Sequence, residues 1–293
     1  MSEFKNTTVQ ANGLTFHCLE MGEGPLALCL HGFPDHATSF RHQLPVLAKA
    51  GYRAVAPYLR GYAPTDVPPN GPYQAAALVQ DTIALIDQLG GGSCVLIGHD
   101  WGAAAAHGTA VIAPEKITKL VTIAVPHGPG LFESFVTSQA QQRRSWYMFF
   151  FQMPFADEAV ALNDFAFIEH IWRDWSPGWD YPPEEMAALK ETFKKPGVLQ
   201  AALGYYRHTL NPSNHVSELA DIQERVLTAD PIQVPTLYFH GVKDGCIGVE
   251  LSEGIEQYFP KGLRKEIIAD AGHFTHQEKP DEINRILLEF LQG

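Results

Sequence analysis

The stretch Ser93-Cys94-Val95-Leu96-Ile97-Gly98-His99-Asp100-Trp101-Gly102 decides the fold of this chain. Its first half, residues 93–97, is mostly apolar and predicts a buried strand, whereas the alanine-rich residues 102–111 predict a helix. Glycines two positions before and two positions after Asp100 permit a sharp turn in which the helix packs closely against the strand. A strand, a tight turn and a helix in this order are typical of a nucleophile elbow, here with Asp100 at its tip.

Predicted strands and helices alternate along the chain on both sides of this elbow. The opening residues, 7–19, predict a hairpin around Asn12-Gly13. Further strands are predicted at 26–30, 52–56, 120–125, 235–239 and 265–268, and further helices at 39–50, 73–89 and 280–291. This alternation predicts an α/β fold, in which a mostly parallel sheet is flanked by helices on both faces.

One long segment interrupts the alternation. Residues 128–228 are predicted to be helical and contain four of the five tryptophans of the chain. This segment is too long for a simple connection and too aromatic for a flexible linker. We therefore expect a helical lid at 128–228, inserted into a core domain that is formed by residues 1–127 and 229–293.

Composition and charge exclude several functions for this chain of 293 residues. A formal net charge of -12 argues against a nucleic-acid partner, because phosphate binding needs clustered lysine and arginine. No run reaches the roughly 18 apolar residues of a membrane span, and residues 1–12 lack the apolar segment of a secretion signal. The four cysteines form no CxxC pair, so we expect buried free thiols, no metal site and a cytoplasmic location.

Two further residues complete a catalytic triad in the chain order typical of such folds, which is nucleophile, acid and histidine. Asp244 follows the predicted strand at 235–239, and His273 follows the predicted strand at 265–268. The carboxyl ends of parallel strands meet at one edge of a sheet. Asp100, Asp244 and His273 are therefore expected to lie together.

A carboxylate nucleophile restricts the chemistry. Attack by Asp100 on a saturated carbon that bears a leaving oxygen or halogen gives an alkyl ester on the enzyme. His273, oriented by Asp244, would then act as the general base that activates water against this ester. The backbone N–H groups of Phe33 and Trp101 are the expected oxyanion donors. This mechanism needs neither a metal nor an organic cofactor.

Short motifs at four places carry a resemblance to a known family: His31-Gly32-Phe33-Pro34, Arg60-Gly61-Tyr62, Gly98-His99-Asp100-Trp101-Gly102, and Gly272-His273-Phe274 followed by Glu278-Lys279-Pro280. They resemble the motifs of the α/β-hydrolase fold and, within it, those of the soluble epoxide hydrolases. The resemblance covers nearly the whole chain. It implies Asp100 as nucleophile, His273 as base, Asp244 as the partner of His273, and a cis Phe33-Pro34 bond.

The leaving group distinguishes two kinds of enzyme that share an aspartate elbow, the epoxide hydrolases and the haloalkane dehalogenases. An opened epoxide becomes an alkoxide that needs a proton, which a pair of lid tyrosines supplies in epoxide hydrolases. By resemblance these are Tyr147 and, in Gly204-Tyr205-Tyr206-Arg207, Tyr206, with Tyr205 as the alternative to Tyr206. In a dehalogenase, which stays the alternative function, Trp101 would donate to the halide.

The substrate pocket is expected between the sheet and the lid, beside the two tyrosines, with an aromatic lining of Phe33, Trp101, Phe149, Phe150 and Phe274. An apolar pocket suits a lipophilic epoxide, which water converts to a vicinal diol. A non-catalytic binding protein of the same fold is a third hypothesis, but it predicts a broken triad. The sequence leaves the oligomeric state open, a homo-oligomer included.

Overall fold

A computed structural model describes residues 4–228 and 230–293. The strands within these residues are β1 (Lys5–Ala11), β2 (Leu14–Met21), β3 (Leu26–Leu30), β4 (Arg53–Pro57), β5 (Cys94–His99), β6 (Ile117–Ile123), β7 (Thr236–Gly241) and β8 (Leu263–Ile268). They form one eight-stranded sheet in the order β1-β2-β4-β3-β5-β6-β7-β8. The strand β5, which leads into the elbow, therefore lies in the interior of the sheet, between β3 and β6.

The direction of the strands matches the prediction from the sequence. β1 and β2 form the predicted hairpin, with Ala11 opposite Leu14, and β2 also pairs antiparallel with β4. All other neighbouring strands are parallel. The predicted α/β fold with a mostly parallel sheet is confirmed, and the strands β3, β5, β7 and β8 all end at the same edge.

Helices cover both faces of this sheet. They are α1 (Gln43–Lys49), α2 (Ala75–Gln88), α3 (Trp101–Ile112), α4 (Gly130–Thr137), α5 (Gln139–Arg144), α6 (Trp146–Phe150), α7 (Ala156–Trp175), α8 (Pro183–Phe193), α9 (Val198–Leu210), α10 (Ala220–Leu227), α11 (Thr275–Glu278) and α12 (Pro280–Gln292). Successive residues along a strand point to opposite faces of the sheet. In β5, Leu96 packs on the side of α2 and α3, and Ile97 packs on the side of α1 and α12.

The residues between β6 and β7, 124–235, are called the inserted segment below. Their described part contains α4 to α10 and no strand, and it includes the predicted lid at 128–228. Residues 1–3 and Ala229 belong to the predicted core domain and lie outside the described residues.

Hydrogen bonds join the inserted segment to the loops after β3 and β4. The indole Nε1 of Trp172, in α7, donates to the carbonyl oxygen of Pro34 at 2.8 Å. The hydroxyl of Tyr205, in α9, donates to the carbonyl oxygen of Arg60 at 2.6 Å. The inserted segment is thus held over the sheet edge at which the parallel strands end.

All four cysteines are buried and free, as predicted: Cys18, Cys29, Cys94 and Cys246. Cys246 differs from the other three because it lies in the loop after β7, beside the predicted triad, rather than within a strand. Among residues 4–228 and 230–293, no helix combines the length and the apolar character that crossing a bilayer requires.

Candidate active site

Asp100 occupies the tight turn between β5 and α3. Its backbone has a φ of 53° and a ψ of -120°, which is a strained conformation for a residue with a side chain. Close approach of the surrounding backbone holds the turn in place. A Cβ on Gly102 would overlap the carbonyl oxygen of Leu30, and a Cβ on Gly32 would overlap the Asp100 side chain. The glycines of the elbow and of the loop after β3 are therefore required by space.

The structure brings Asp100, His273 and Asp244 together at the carboxyl edge of the sheet. Nδ1 of His273 lies 2.9 Å from Oδ2 of Asp244, and Nε2 of His273 lies 3.4 Å from Oδ2 of Asp100. All three side chains are buried. The imidazole therefore stands between two carboxylates and turns one ring nitrogen towards each.

Backbone amides and histidines surround the Asp244 carboxylate. Its Oδ1 accepts hydrogen bonds from the N–H groups of Cys246 at 2.7 Å and Ile247 at 2.9 Å. Burial by itself raises the pKa of Asp244, but His273 and His240 outweigh it and hold this pKa below its usual value. Asp244 is therefore ionised, and it keeps the proton of the His273 ring on Nδ1.

The carboxylates on either side of His273 favour the charged form of its ring. Burial by itself lowers the pKa of His273, but the negative charge of Asp244, reinforced by Asp100, holds it well above the usual value. Removing the charge of either carboxylate shifts the ring towards its neutral form. The neutral ring carries a free lone pair on Nε2 and can accept a proton there.

Two backbone N–H groups, those of Phe33 and Trp101, are the predicted oxyanion donors. The N–H of Phe33 donates to Oδ1 of Asp100 at 2.7 Å, and the Phe33-Pro34 bond is cis, as the resemblance implies. Trp101 is the first residue of α3, where helix geometry leaves the amide hydrogen without a partner inside the helix. Of the two N–H groups predicted to receive an oxyanion, that of Phe33 thus contacts the carboxylate that would become the ester, and that of Trp101 lies in the next residue of the chain.

Tyr147 and Tyr206 border the same cavity as Asp100 from the inserted segment. Both are buried, and their ring centroids are 5.5 Å apart. The hydroxyl of Tyr147 lies 3.3 Å from Sγ of Cys246, whereas the hydroxyl of Tyr206 has no hydrogen-bond partner in the described part of the chain. Burial, with the charge of Asp100 adding to it, raises the pKa of both tyrosines well above the usual value. Both hydroxyls therefore remain protonated and able to donate.

The structure distinguishes Tyr206 from its neighbour Tyr205, which the sequence could not do. One step along α9 turns a side chain by about 100°. Tyr206 borders the cavity, and its ring centroid lies 5.1 Å from that of Trp101. The Tyr205 hydroxyl instead donates a hydrogen bond to the carbonyl oxygen of Arg60. Tyr206 is thus placed for chemistry on a ligand, and Tyr205 is placed to hold α9 against the core.

The cavity extends from Asp100 along one face of α3. Trp101, Ala104 and Gly108 border it at helical spacing, so it follows the helix for about 10 Å. Its other walls are mostly apolar and come from the inserted segment, with Leu131, Phe132, Met148, Val226 and Leu227 among them. This shape suits an elongated lipophilic ligand with its reactive end at Asp100.

Four aromatic residues predicted to line the pocket do not border this cavity. Phe33 is enclosed by other aromatic rings and offers its backbone N–H instead. Phe149 is 44% exposed on the outer side of α6, and Phe150 packs against Phe167. Phe274 packs against tryptophan rings of the inserted segment. In α6, Tyr147 and Met148 border the cavity, whereas the residues two and three positions after Tyr147 point away from it.

Two residues of the inserted segment support the triad loops, and the sequence analysis missed both. The carbonyl oxygen of Trp175, at the end of α7, accepts the N–H of His273 at 3.0 Å and that of Gly245 at 3.1 Å. The side chain of Gln141, in α5, donates to the carbonyl oxygen of Cys246 at 2.8 Å. The Trp175 contact is made by the main chain, so no residue type signals it. For Gln141 the sequence gives only a weak indication of this role, because a glutamine in a helix is usually exposed.

Comparison with known proteins agrees with this fold and site. The family model described as alpha/beta hydrolase fold matches residues 25–280. Human "Epoxide hydrolase 4" is 34% identical over 97% of this chain and 77% of its own length. The crystal structure of the epoxide hydrolase VrEH1 from Vigna radiata is 29% identical, with a TM-score of 0.83 over 100% of this chain and 98% of that one. A mutant epoxide hydrolase from Bacillus megaterium is 27% identical, with a TM-score of 0.83 over 98% of this chain and all of that one.

The chain belongs to the α/β hydrolase fold family. Within this family it is an epoxide hydrolase-like protein, because relatives and solved structures named epoxide hydrolase match nearly its full length.

Proposed function

We propose that this protein is an epoxide hydrolase, which converts a lipophilic epoxide to a vicinal diol through a covalent ester on Asp100. One observation carries the proposal: the Asp100 carboxylate and the protonated hydroxyls of Tyr147 and Tyr206 border the same cavity. Ring opening requires a nucleophile on carbon and a proton donor on the leaving oxygen, and these residues supply both. Relatives named epoxide hydrolase support the same activity.

In the first step, an oxygen of Asp100 attacks a ring carbon of the epoxide. A bond forms between this oxygen and the carbon, the ring carbon–oxygen bond breaks, and its electron pair goes to the leaving oxygen. Tyr147 and Tyr206 donate hydrogen bonds to that oxygen, and one of them transfers its proton. Since burial keeps both hydroxyls protonated, they are ready to donate when the ring opens.

In the second step, water hydrolyses the ester. His273 accepts a proton from the water as the water oxygen attacks the ester carbonyl, and the N–H groups of Phe33 and Trp101 receive the oxyanion. When the tetrahedral intermediate collapses, the bond between the carbonyl carbon and the substrate oxygen breaks, His273 returns its proton to that oxygen, and the diol leaves. The proton that remains on Asp100 goes to solvent, from which the tyrosine regains its own. Ester formation removes the negative charge of Asp100, which is one of the charges that keep the pKa of His273 high. The covalent intermediate itself therefore shifts His273 towards the neutral form that acts as the base.

A haloalkane dehalogenase is the second candidate, and one observation favours it. The indole Nε1 of Trp101 is buried beside the elbow and has no hydrogen-bond partner in the described part of the chain. A halide needs only neutral donors, so this N–H could stabilise it as a leaving group. The two tyrosine hydroxyls favour the epoxide, because an alkoxide needs a proton and a halide does not.

A product assay tests the choice between the two functions. Wild type and the double variant Tyr147→Phe/Tyr206→Phe are each given an aryl epoxide and a primary alkyl bromide of similar size. We expect the wild type to form diol from the epoxide and the double variant to lose this activity. Bromide release that is insensitive to the two substitutions, without diol formation, would contradict the proposal and favour the dehalogenase.

The proposed organisation keeps the lid at 128–228 and the core at 1–127 and 229–293, with the substrate between them. The walls of the cavity support this division, because α3 comes from the core and α6 and α9 come from the inserted segment. Four free buried thiols support a reducing compartment such as the cytoplasm. The substrate partner is a small lipophilic epoxide, together with water.

A further inference from the structure

Cys246 brings a thiol into the active site, and the proposed hydrolysis does not use it. This residue lies two positions after Asp244, and its side chain is buried. Its backbone N–H holds the Asp244 carboxylate, while its Sγ lies 3.3 Å from the hydroxyl of Tyr147. The thiol therefore faces the same space as the nucleophile and the base.

Three different kinds of metal ligand converge at this point. A carboxylate oxygen of Asp100, a ring nitrogen of His273 and Sγ of Cys246 all lie within 4.8 Å of one another. Thiolate, imidazole and carboxylate are the common protein ligands of Zn²⁺, and in a tetrahedral site such ligand atoms are about 3.3–3.8 Å apart. Binding would require these atoms, which lie within 4.8 Å of one another, to move closer together.

The surroundings of these ligands also match those of a metal site. Asp244 accepts the Nδ1 hydrogen of His273 at 2.9 Å, so that Nε2, on the other side of the ring, points towards Asp100. A carboxylate that orients a ligating histidine in this way is the usual second partner in zinc sites. The Tyr147 hydroxyl can donate to the sulfur once it is a thiolate.

We propose that Asp100, Cys246 and His273 bind a thiophilic divalent cation, Zn²⁺ or Cd²⁺, and that this binding inhibits the enzyme. The thiol S–H bond and the N–H bond at Nε2 of His273 break, both protons leave to solvent, and bonds form from the cation to sulfur, nitrogen and oxygen. The two anionic ligands balance the charge of the ion. The cation is not a cofactor, because it occupies the lone pairs with which Asp100 attacks and His273 accepts a proton.

Cadmium titration of the whole protein, first freed of metal by a chelator, tests this site. Binding is followed by the ultraviolet charge-transfer absorption of a cadmium–thiolate bond, and epoxide hydrolysis is measured in the same samples. Wild type is compared with Cys246→Val and with the control Cys94→Val. Cys94 is also a buried cysteine, but it lies at the amino end of β5, whereas Asp100 follows the carboxyl end of the same strand.

We expect wild type and Cys94→Val to take up one Cd²⁺ with the charge-transfer band and to lose activity in parallel. The Cys246→Val variant should lack the band. Relative to its own metal-free activity, it should need at least roughly tenfold more Cd²⁺ or Zn²⁺ for half inhibition. A chelator should restore the wild type.

The proposal is overturned if wild type shows no charge-transfer band with stoichiometric Cd²⁺, or if Cys246→Val is inhibited as strongly as wild type. Should Cys246→Val fail to fold, Cys246→Ser takes its place, because a hydroxyl is a poor ligand for these cations and the same loss is expected. The absorption band does not depend on turnover. It therefore reports on the metal site even if the proposed hydrolysis proves wrong.

Discussion

The core and the inserted segment build the active site in different ways. In the core, the backbone fixes each group: Asp100, Asp244 and His273 all follow parallel strands that end at one edge of the sheet. In the inserted segment, helix phase and side-chain packing decide which residues reach the cavity, as with Tyr206 and Tyr205. In the proposed mechanism the core supplies the nucleophile and the base, and the inserted segment supplies the proton donors; it also forms most of the apolar wall of the cavity.

This difference implies a division of labour that mutations can test. Groups from the core should be indispensable for turnover, since they make and break the covalent bond. Groups from the inserted segment should change the rate of ring opening and the choice of substrate. The predictions below run from the largest expected effect to the smallest.

Replacing the nucleophile should have the largest effect. Asp100→Ala removes the oxygen that forms the ester, so we expect diol formation to fall by at least roughly 10⁴-fold. The control is Asp270→Ala, an exposed carboxylate near the same edge that pairs with Lys243, and it should keep nearly full activity. Steady-state assays with an aryl epoxide measure both. Substantial turnover by folded Asp100→Ala would refute the covalent scheme.

Two neighbouring tyrosines test the contribution of the inserted segment. Tyr206→Phe removes a donor to the leaving oxygen, so we expect kcat to fall by about 10²-fold, with the fold unchanged. Tyr205→Phe, which is the matched control, should leave kcat close to that of wild type. Equal losses of kcat in the two variants would mean that α9 acts only as a support.

The glycine in the elbow tests how strictly the core backbone is fixed. Gly102→Ala places a Cβ against the carbonyl of Leu30, so we expect the free energy of unfolding to fall by about 1–3 kcal/mol. The control is Gly130→Ala in α4, where the nearest atom to an added Cβ is 4.0 Å away. That variant should be as stable as wild type or slightly more stable. Urea unfolding compares the two, and equal stabilities would contradict the close packing of the elbow.

The smallest effect is expected on the stability of the contact between α9 and the core. Tyr205→Phe removes the hydrogen bond to the carbonyl of Arg60, which should cost about 1 kcal/mol of unfolding free energy. Thermal or urea unfolding measures this loss, with Tyr206→Phe as the control. The Tyr206 hydroxyl has no hydrogen-bond partner within the described residues, so its removal should cost less. Greater destabilisation by Tyr206→Phe than by Tyr205→Phe would reverse the roles assigned to them.

Residues at strand ends could be predicted from the sequence, because apolar runs and chain order locate them. The strand–turn–helix pattern around Asp100 predicted the elbow, and the strands before Asp244 and His273 predicted that these two residues would lie near Asp100. In helices of the inserted segment, one residue changes the direction of a side chain by about 100°, so composition alone misplaced Phe149 and Phe150. Contacts made by backbone atoms, such as the Trp175 carbonyl, have no signature in residue type.

Trapping the covalent intermediate tests the central claim most directly. His273→Gln removes the base of the second step but leaves Asp100 free to attack, so the ester should form and persist. Intact-protein mass spectrometry after mixing with an aryl epoxide should show an increase by the mass of the substrate, located on the peptide that contains Asp100. An unmodified protein, or an adduct on another residue, would contradict Asp100 as the nucleophile and His273 as the hydrolytic base.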